Sequence, residues 1–356
     1  MARRPRARDL GIPFEGEVGP HNAITDVPGV RVGHVTIIRD GNPDFSDAAR
    51  TGVTAIIPKP TFTTESVLAG WFRLNGNGEL TGTAMIDETG LLDGPILTTN
   101  TLSVGVVHSA IVDWSRRHSL PRERWALPVV GETWDGYLND IRGAHVQREH
   151  AIEAIDSAVA GPVPEGNVGG GTGMICYEFK GGIGTSSRVV EVGEGFTVGV
   201  LVQANHGRRE QLTIAGIPVG RSLGEAGLGK DDTGSILGIV ATDAPLLPHQ
   251  LARLARRCAM GLARSGSRSG TTSGDLFLAF STANEGFVEA PPTRHLLALA
   301  DSELNPLFWA VVEAMDEAVV NALIAAETMV GFDHHRVEAI PHQRLAELLR
   351  EHHRLG

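Results

Sequence analysis

Lys230–His249 reads KDDTGSILGIVATDAPLLPH, and the fold turns on this stretch. Two aspartates, a threonine and a glycine lead into Ser235, and an apolar run follows at once. Ser235–Ala241 (SILGIVA) is short and rich in Ile and Val, which favours a strand over a helix. Pro248–Arg264 (PHQLARLARRCAMGLAR) then places Leu251, Leu254, Ala255, Cys258 and Leu262 on one face with most arginines elsewhere. That spacing predicts an amphipathic helix, with Pro248 suited to its first turn. Ser235 is therefore either a turn serine capping a strand or a nucleophile presented at the strand's head. The local residues leave both open.

Outward from this unit the same alternation recurs. Val53–Pro58, Ile96–Val107, Phe196–Ala204 and Leu276–Phe280 read as strands from length and β-branched content. Gln147–Val159 and the more apolar Asn305–Glu327 read as helices, the latter buried on much of its surface. The 44 glycines are spread through the chain and no internal repeat is visible. Strands mixed with helices imply an α/β protein with sheets layered under helices. Ser265–Thr272 (SGSRSGTT) is the most polar interior stretch and reads as a surface loop running into Ser273-Gly274-Asp275.

The totals narrow the function classes. The chain has 356 residues, 42% of them hydrophobic, enough for a substantial core. A formal charge of -11 argues against nucleic acid as partner, because phosphate contacts need a basic face. Two cysteines, Cys176 and Cys258, do not make a disulfide scaffold and read as small buried hydrophobes. The N-terminal MARRPRARDLGIPFEG is basic without an apolar stretch behind it, so no signal peptide is expected. No run reaches the roughly 18 apolar residues of a membrane span. No membrane partner and a cytoplasmic location are therefore expected.

Several signatures are missing from the sequence. There is no G-x-S-x-G nucleophile elbow, no G-x-x-x-x-G-K-[ST] and no H-E-x-x-H. Gly166–Gly173 (GNVGGGTG) departs from the dinucleotide fingerprint, and close backbone packing is its simpler reading. His334, His335, His352 and His353 read as solvated surface residues, so no metal site and no cofactor are expected.

Asp232–Leu246 and the helix behind it resemble the self-processing L-aminopeptidase/D-esterase family, which includes the β-aminopeptidases. Asn22–His34 (NAITDVPGVRVGH), Gly131–Ile141 (GETWDGYLNDI), Glu165–Met174 (EGNVGGGTGM), Val202–Arg209 (VQANHGRR) and Ser273–Ala283 (SGDLFLAFSTA) resemble further blocks of that family, in the same order. The resemblance covers roughly residues 15 to 335. It implies a four-layer α/β/β/α sandwich, a type shared with the ornithine acetyltransferases. It also implies one peptidase domain, 1–356, that cuts itself between Gly234 and Ser235 into a larger chain, 1–234, and a smaller chain, 235–356.

The implied chemistry suits these residues. Ser235 Oγ attacks the preceding carbonyl, the acyl group shifts from nitrogen to oxygen, and water hydrolyses the ester. Gly234 leaves room for that approach. The freed α-amine of Ser235, with an ordinary pKa of about 7.7–8.0, can act as base for its own hydroxyl. By the same resemblance Ser273 and Asp275 support the nucleophile, though some members carry Glu in place of Asp275. Asn205 and Tyr137 supply the oxyanion donors. Glu132 pairs with the substrate amine and Trp134 walls the pocket; a surface salt bridge is the competing reading of Glu132. Asn100 is a weaker pocket candidate, and His206 is given no proton-transfer role. The implied substrates are short peptides, amino-acid amides or esters with L-, D- or β-residues, and the implied assembly is a homo-oligomer, commonly a tetramer. An acetyltransferase-like activity and a non-catalytic binding role are the alternatives. Against the second, Gly234, Ser235, Ser273, Asp275 and Asn205 are all present together.

Overall fold

In this computed structural model residues 4–60, 65–118, 127–224, 233–284 and 293–355 are described. The aspartates before Thr233 lie outside them. In chain order the strands are β1 (Arg31–Arg39), β2 (Ala49–Ile57), β3 (Val67–Gly76), β4 (Leu91–Leu92), β5 (Ile96–Asn100), β6 (Val129–Thr133), β7 (Ile175–Cys176), β8 (Phe179–Lys180), β9 (Gly182–Val190), β10 (Phe196–Asn205), β11 (Thr233–Thr242), β12 (Thr272–Ser281), β13 (Met329–Val330) and β14 (Arg336–Val337). The helices are α1 (Thr83–Thr89), α2 (Val104–Arg117), α3 (Arg148–Asp156), α4 (Pro248–Arg264), α5 (Asn305–Ile324) and α6 (His342–Glu351).

Two sheets form the centre, with strand orders β4-β3-β12-β11-β10-β9 and β1-β2-β5-β6. Each holds one parallel pair, β11 with β12 and β5 with β6. A parallel pair needs a crossover, and here it is a helix each time, α4 in the first sheet and α2 in the second. Those helices cover the outer faces, joined by α5 over β9 and β10 and by α3 over β1 and β2. The architecture is a four-layer α/β/β/α sandwich, as the resemblance implied.

Strand alternation builds its three cores. Leu237 and Ile239 point inward with Leu201, Leu276 and Leu278, against Ile96 and Val129 of the other sheet. Ile236 and Val240 point outward to Leu251, Leu254 and Met315 of α4 and α5. On the far side Leu97 and Val130 meet Val107, Ala110, Ile111 and Trp114 of α2. Most of the apolar surface of α5 is absorbed inside this molecule, with Val311, Ala314, Met315, Ala318 and Val319 all buried, while Trp309 stays exposed.

Near the site the space between the sheets becomes polar. Thr98 Oγ1 donates to Gln203 Oε1 at 2.7 Å, and Gln203 Nε2 donates to Thr99 O and Thr133 Oγ1. A Cβ on Gly170 would collide with Gln203 Oε1, so the Gly169–Gly171 turn is glycine-rich for close packing.

Three expectations need correction. Ile96–Val107 is not one strand: β5 ends at Asn100 and α2 begins at Val104. The polar Asn100–Ser103 breaks the run, and Val107, Ala110, Ile111 and Trp114 then recur at helical spacing. Ser265 is not a surface-loop residue; it is buried, donating to Leu262 O while bonding the Tyr177 hydroxyl. His335 is not simply solvated, because it stacks on Tyr137. Both cysteines are free and buried, in line with their reading as small hydrophobes. Among the described residues no helix is long and apolar enough to cross a membrane.

Candidate active site

β11 carries its first residues out of the apolar core to the edge between the sheets. By alternation Ser235 shares the inner face with Leu237 and Ile239. Across the antiparallel pair with β10 it stands opposite Asn205, and across the parallel pair with β12 it stands beside Gly274. Gly234 is required here by close approach, since a Cβ would collide with Asn205 O and stand 2.7 Å from His206 Cα. Both are backbone atoms that cannot swing aside.

A cleft of about 620 Å³ opens at this edge, and Gly234, Ser235, Asn205, Tyr137, Glu132 and Trp134 all line it. The structure therefore brings together residues drawn from three separated blocks of sequence. Among the described residues Ser235 Oγ has no hydrogen-bond partner, and the residue itself is 4% exposed.

Asn205 is fixed in orientation. Its Oδ1 accepts the Ile175 N–H at 2.8 Å, and its Nδ2 donates to Trp134 O at 2.9 Å. These bonds assign the amide nitrogen, and an amide carries two N–H bonds, of which Trp134 O uses one. Tyr137 sits on the turn after β6, where its ring stacks on His335 with centroids 4.1 Å apart and planes within 6°. His335 Nδ1 also donates to Tyr137 O at 2.8 Å. Ring and backbone of Tyr137 are thus both held by one residue that its sequence position did not reveal.

Ser273 and Asp275 stand next door but face away from the cleft. Ser273 pairs with Gly234 and Asp275 with Ile236, so both point to the helix side of the sheet, opposite to Ser235. Ser273 Oγ donates to Asp275 Oδ1 at 2.7 Å and both residues are buried. They flank the backbone of Gly234 and Ser235.

Glu132 is not in a surface salt bridge. It is buried, its Oε1 accepting the Glu79 N–H at 2.9 Å and its Oε2 accepting the Thr101 hydroxyl. Burial raises its carboxyl above the usual range, against those two hydrogen bonds. It presents a desolvated carboxylate to the cleft beside the half-exposed Trp134. Asn100 does not line the cleft; it is buried and donates to Thr51 Oγ1. His206 also points elsewhere, toward Cys176 and the Tyr177 ring, and burial lowers its pKa to about 3. Among the described residues no three His, Cys, Asp or Glu side chains converge as a metal site.

Comparisons with known proteins show the family and the fold. The model of peptidase family S58 matches residues 22–337. The β-peptidyl aminopeptidase BapA of Sphingosinicella xenopeptidilytica is 49% identical, over 97% of this chain and 91% of its own. The protein of the same name from Sphingosinicella microcystinivorans is 46% identical, over 100% and 94%. The solved L-aminopeptidase D-Ala-esterase/amidase of Ochrobactrum anthropi, described as a prototype serine aminopeptidase and a variant of the Ntn hydrolase fold, superposes with a TM-score of 0.94. It is 49% identical, over 99% of this chain and all of that one.

Proposed function

This chain belongs to peptidase family S58, and on that premise we propose that it cuts its own Gly234–Ser235 bond and then works as a serine aminopeptidase through the freed Ser235. It is a hydrolase with an N-terminal nucleophile, acting on short peptides, amino-acid amides or esters. β-Residues enter the substrate range from the names of the two Sphingosinicella relatives. Those names and that of the Ochrobactrum enzyme favour hydrolysis over acetyl transfer to ornithine.

The supporting observation is the meeting of Ser235 and Asn205 across the β10–β11 pair, on the face that opens to Glu132. In the precursor, one domain of residues 1–356, Ser235 Oγ attacks the Gly234 carbonyl. The resulting ester is hydrolysed, freeing the Gly234 carboxylate and the Ser235 amine. The mature enzyme is then a chain of 1–234 and a chain of 235–356.

In turnover the substrate ammonium pairs with Glu132, which sets cleavage one residue from the N-terminus. The Ser235 amine takes the hydroxyl proton as Oγ attacks the scissile carbonyl. The Asn205 amide and the Tyr137 hydroxyl donate to the oxyanion. The leaving amine collects the proton, and water releases the acyl group from Ser235. Ser273 and Asp275 approach from the opposite face, where they support the Ser235 backbone nitrogen that becomes the amine. A homo-oligomer, a tetramer by family likeness, belongs to the same proposal.

Release of amine from a panel of L-, D- and β-amino-acid amides tests the activity. Free N-terminal amides are cleaved and their N-acetylated counterparts are not. Equal turnover of acetylated substrates would remove the role given to Glu132, and no turnover of any amide, ester or short peptide would remove the reading itself.

A further inference from the structure

The Asn205 side chain is the middle of a longer hydrogen-bonded line. The Ile175 N–H that donates to its Oδ1 shares one peptide group with the Met174 carbonyl. That peptide is trans, so the carbonyl points away from Asn205. There it accepts from Lys180 Nζ at 2.6 Å. Lys180 stands opposite Ile175 across the β7–β8 hairpin and is wholly buried. At the other end Asn205 Nδ2 donates to Trp134 O, in the peptide group that carries the Asp135 N–H. That N–H in turn hydrogen-bonds the Asp135 carboxylate. Three amides therefore point the same way, from the Lys180 ammonium to the Asp135 carboxylate.

The surroundings fix both charges. Lys180 Nζ donates to three carbonyls, Met174 O, Gly181 O at 2.9 Å and Gly171 O at 3.3 Å. Only an ammonium has three N–H bonds; a neutral amine would turn its lone pair on one of those oxygens. Around the Asp135 carboxylate stand donors. Asn139 Nδ2 donates to its Oδ1 at 3.0 Å, and the Thr51 and Asn100 side chains bond it as well. Burial works against both charges, lowering Lys180 and raising Asp135. The Asp135 carboxylate opposes that shift at Lys180, and the hydrogen bonds oppose it at Asp135. Neither side chain lines the cleft. Two ions that are costly to bury thus flank the oxyanion donor without touching substrate.

We propose that Lys180 and Asp135 are positioning residues for the oxyanion donor, capping a line of amides that aims the free N–H of Asn205 into the cleft. This rests on the aminopeptidase reading, in which Asn205 donates to the oxyanion. In a buried line each hydrogen bond polarises the next, and a charge at the end polarises them all in one sense. The two ends act differently. Lys180 draws electrons through the Met174–Ile175 peptide toward Asn205 Oδ1, which leaves the Nδ2 hydrogens more positive. Asp135 makes Trp134 O a stronger acceptor, which locks one Nδ2–H. The amide is planar, so locking one hydrogen sets the direction of the other.

The test is a double-mutant cycle on L-alanine amide and β-alanine amide. It compares kcat and KM in wild type, Lys180→Met, Asp135→Asn, Asn205→Ala and the two pairings with Asn205→Ala, per mole of chain that intact mass shows cut at Ser235. Lys180→Met keeps the length and removes the charge. It should lower kcat about tenfold, a part of the roughly 10²–10³-fold expected of the donor itself, and Asp135→Asn about threefold, with KM little changed. In the Asn205→Ala background neither should lower kcat further, because the group they act through is gone. If Lys180→Met does not fold, Asp135→Asn, which keeps its shape, decides. Wild-type kcat in both variants, or a loss as large without Asn205 as with it, overturns the positioning role and leaves the aminopeptidase standing. A wild type that cleaves no amide, ester or short peptide overturns both.

Discussion

Ser235 and Ser273 head two adjacent parallel strands, one residue out of step, with Ser235 beside Gly274 and Ser273 beside Gly234. That single offset puts their side chains on opposite faces of the sheet. Ser273 points to the helix layer and spends its proton on Asp275. Ser235 points to the cleft, opposite Asn205 and behind a glycine whose Cβ would strike Asn205 O. A serine at a strand head is therefore not a nucleophile by type. The preceding glycine, the face and the amide across the ladder distinguish the two.

The comparison breaks most sharply at Ser235. Ser235→Ala should leave the chain uncut and lower amide turnover by about 10⁴-fold or more. Substantial residual activity would move the nucleophile elsewhere. Asn205→Ala comes next, with kcat lower by roughly 10²–10³-fold, about 3 kcal/mol, and little change in KM. A pure KM effect would make Asn205 a binding residue instead. Ser273→Ala should be milder, on the order of tenfold in kcat, since it removes a support and not a reacting group. If it matched Ser235→Ala, the distinction between the two serines would collapse.

The smallest effect is in the pH profile. The Ser235 amine must be neutral and Glu132 ionised for turnover. Log kcat/KM should fall with unit slope below the amine pKa, near 7.7–8.0 if unshifted. It should steepen toward a slope of two as Glu132 protonates, above the ordinary carboxylate range because burial raises its pKa. Glu132→Gln should keep the first limb, lose the steepening and raise KM. A profile with the same steepening in Glu132→Gln would assign it to another group.

Much of this was legible in the chain. α4 was readable to the residue because one helix face is apolar from Leu251 to Leu262 and Pro248 opens it. β11 and β12 were readable as strands from composition, though each extends past the apolar run to the polar head that forms the site. Ile96–Val107 misled because its β-branched content outweighed the helical period that starts at Val104. The layer order was not legible from pattern, because placing β3 beside β12 joins residues some 200 positions apart. At the site, Ser235, Asn205, Tyr137 and Glu132 could be named from the ordered blocks, but the facing of a side chain could not. Ser273 thus lies outside the cleft and Arg208, inside the quoted VQANHGRR, lines it. His335 was read as solvated for the same reason, as its contact with Tyr137 spans 198 residues.

Intact-mass measurement of the purified protein under denaturing conditions, beside Ser235→Ala, bears most directly on the account. It predicts two species for the wild type, matching residues 1–234 and 235–356, whose masses sum to that of the 356-residue chain plus one water. Ser235→Ala should give the single full-length mass. A wild type that remains one full-length species after long incubation yet hydrolyses amides, or a cut at any other bond, would contradict it.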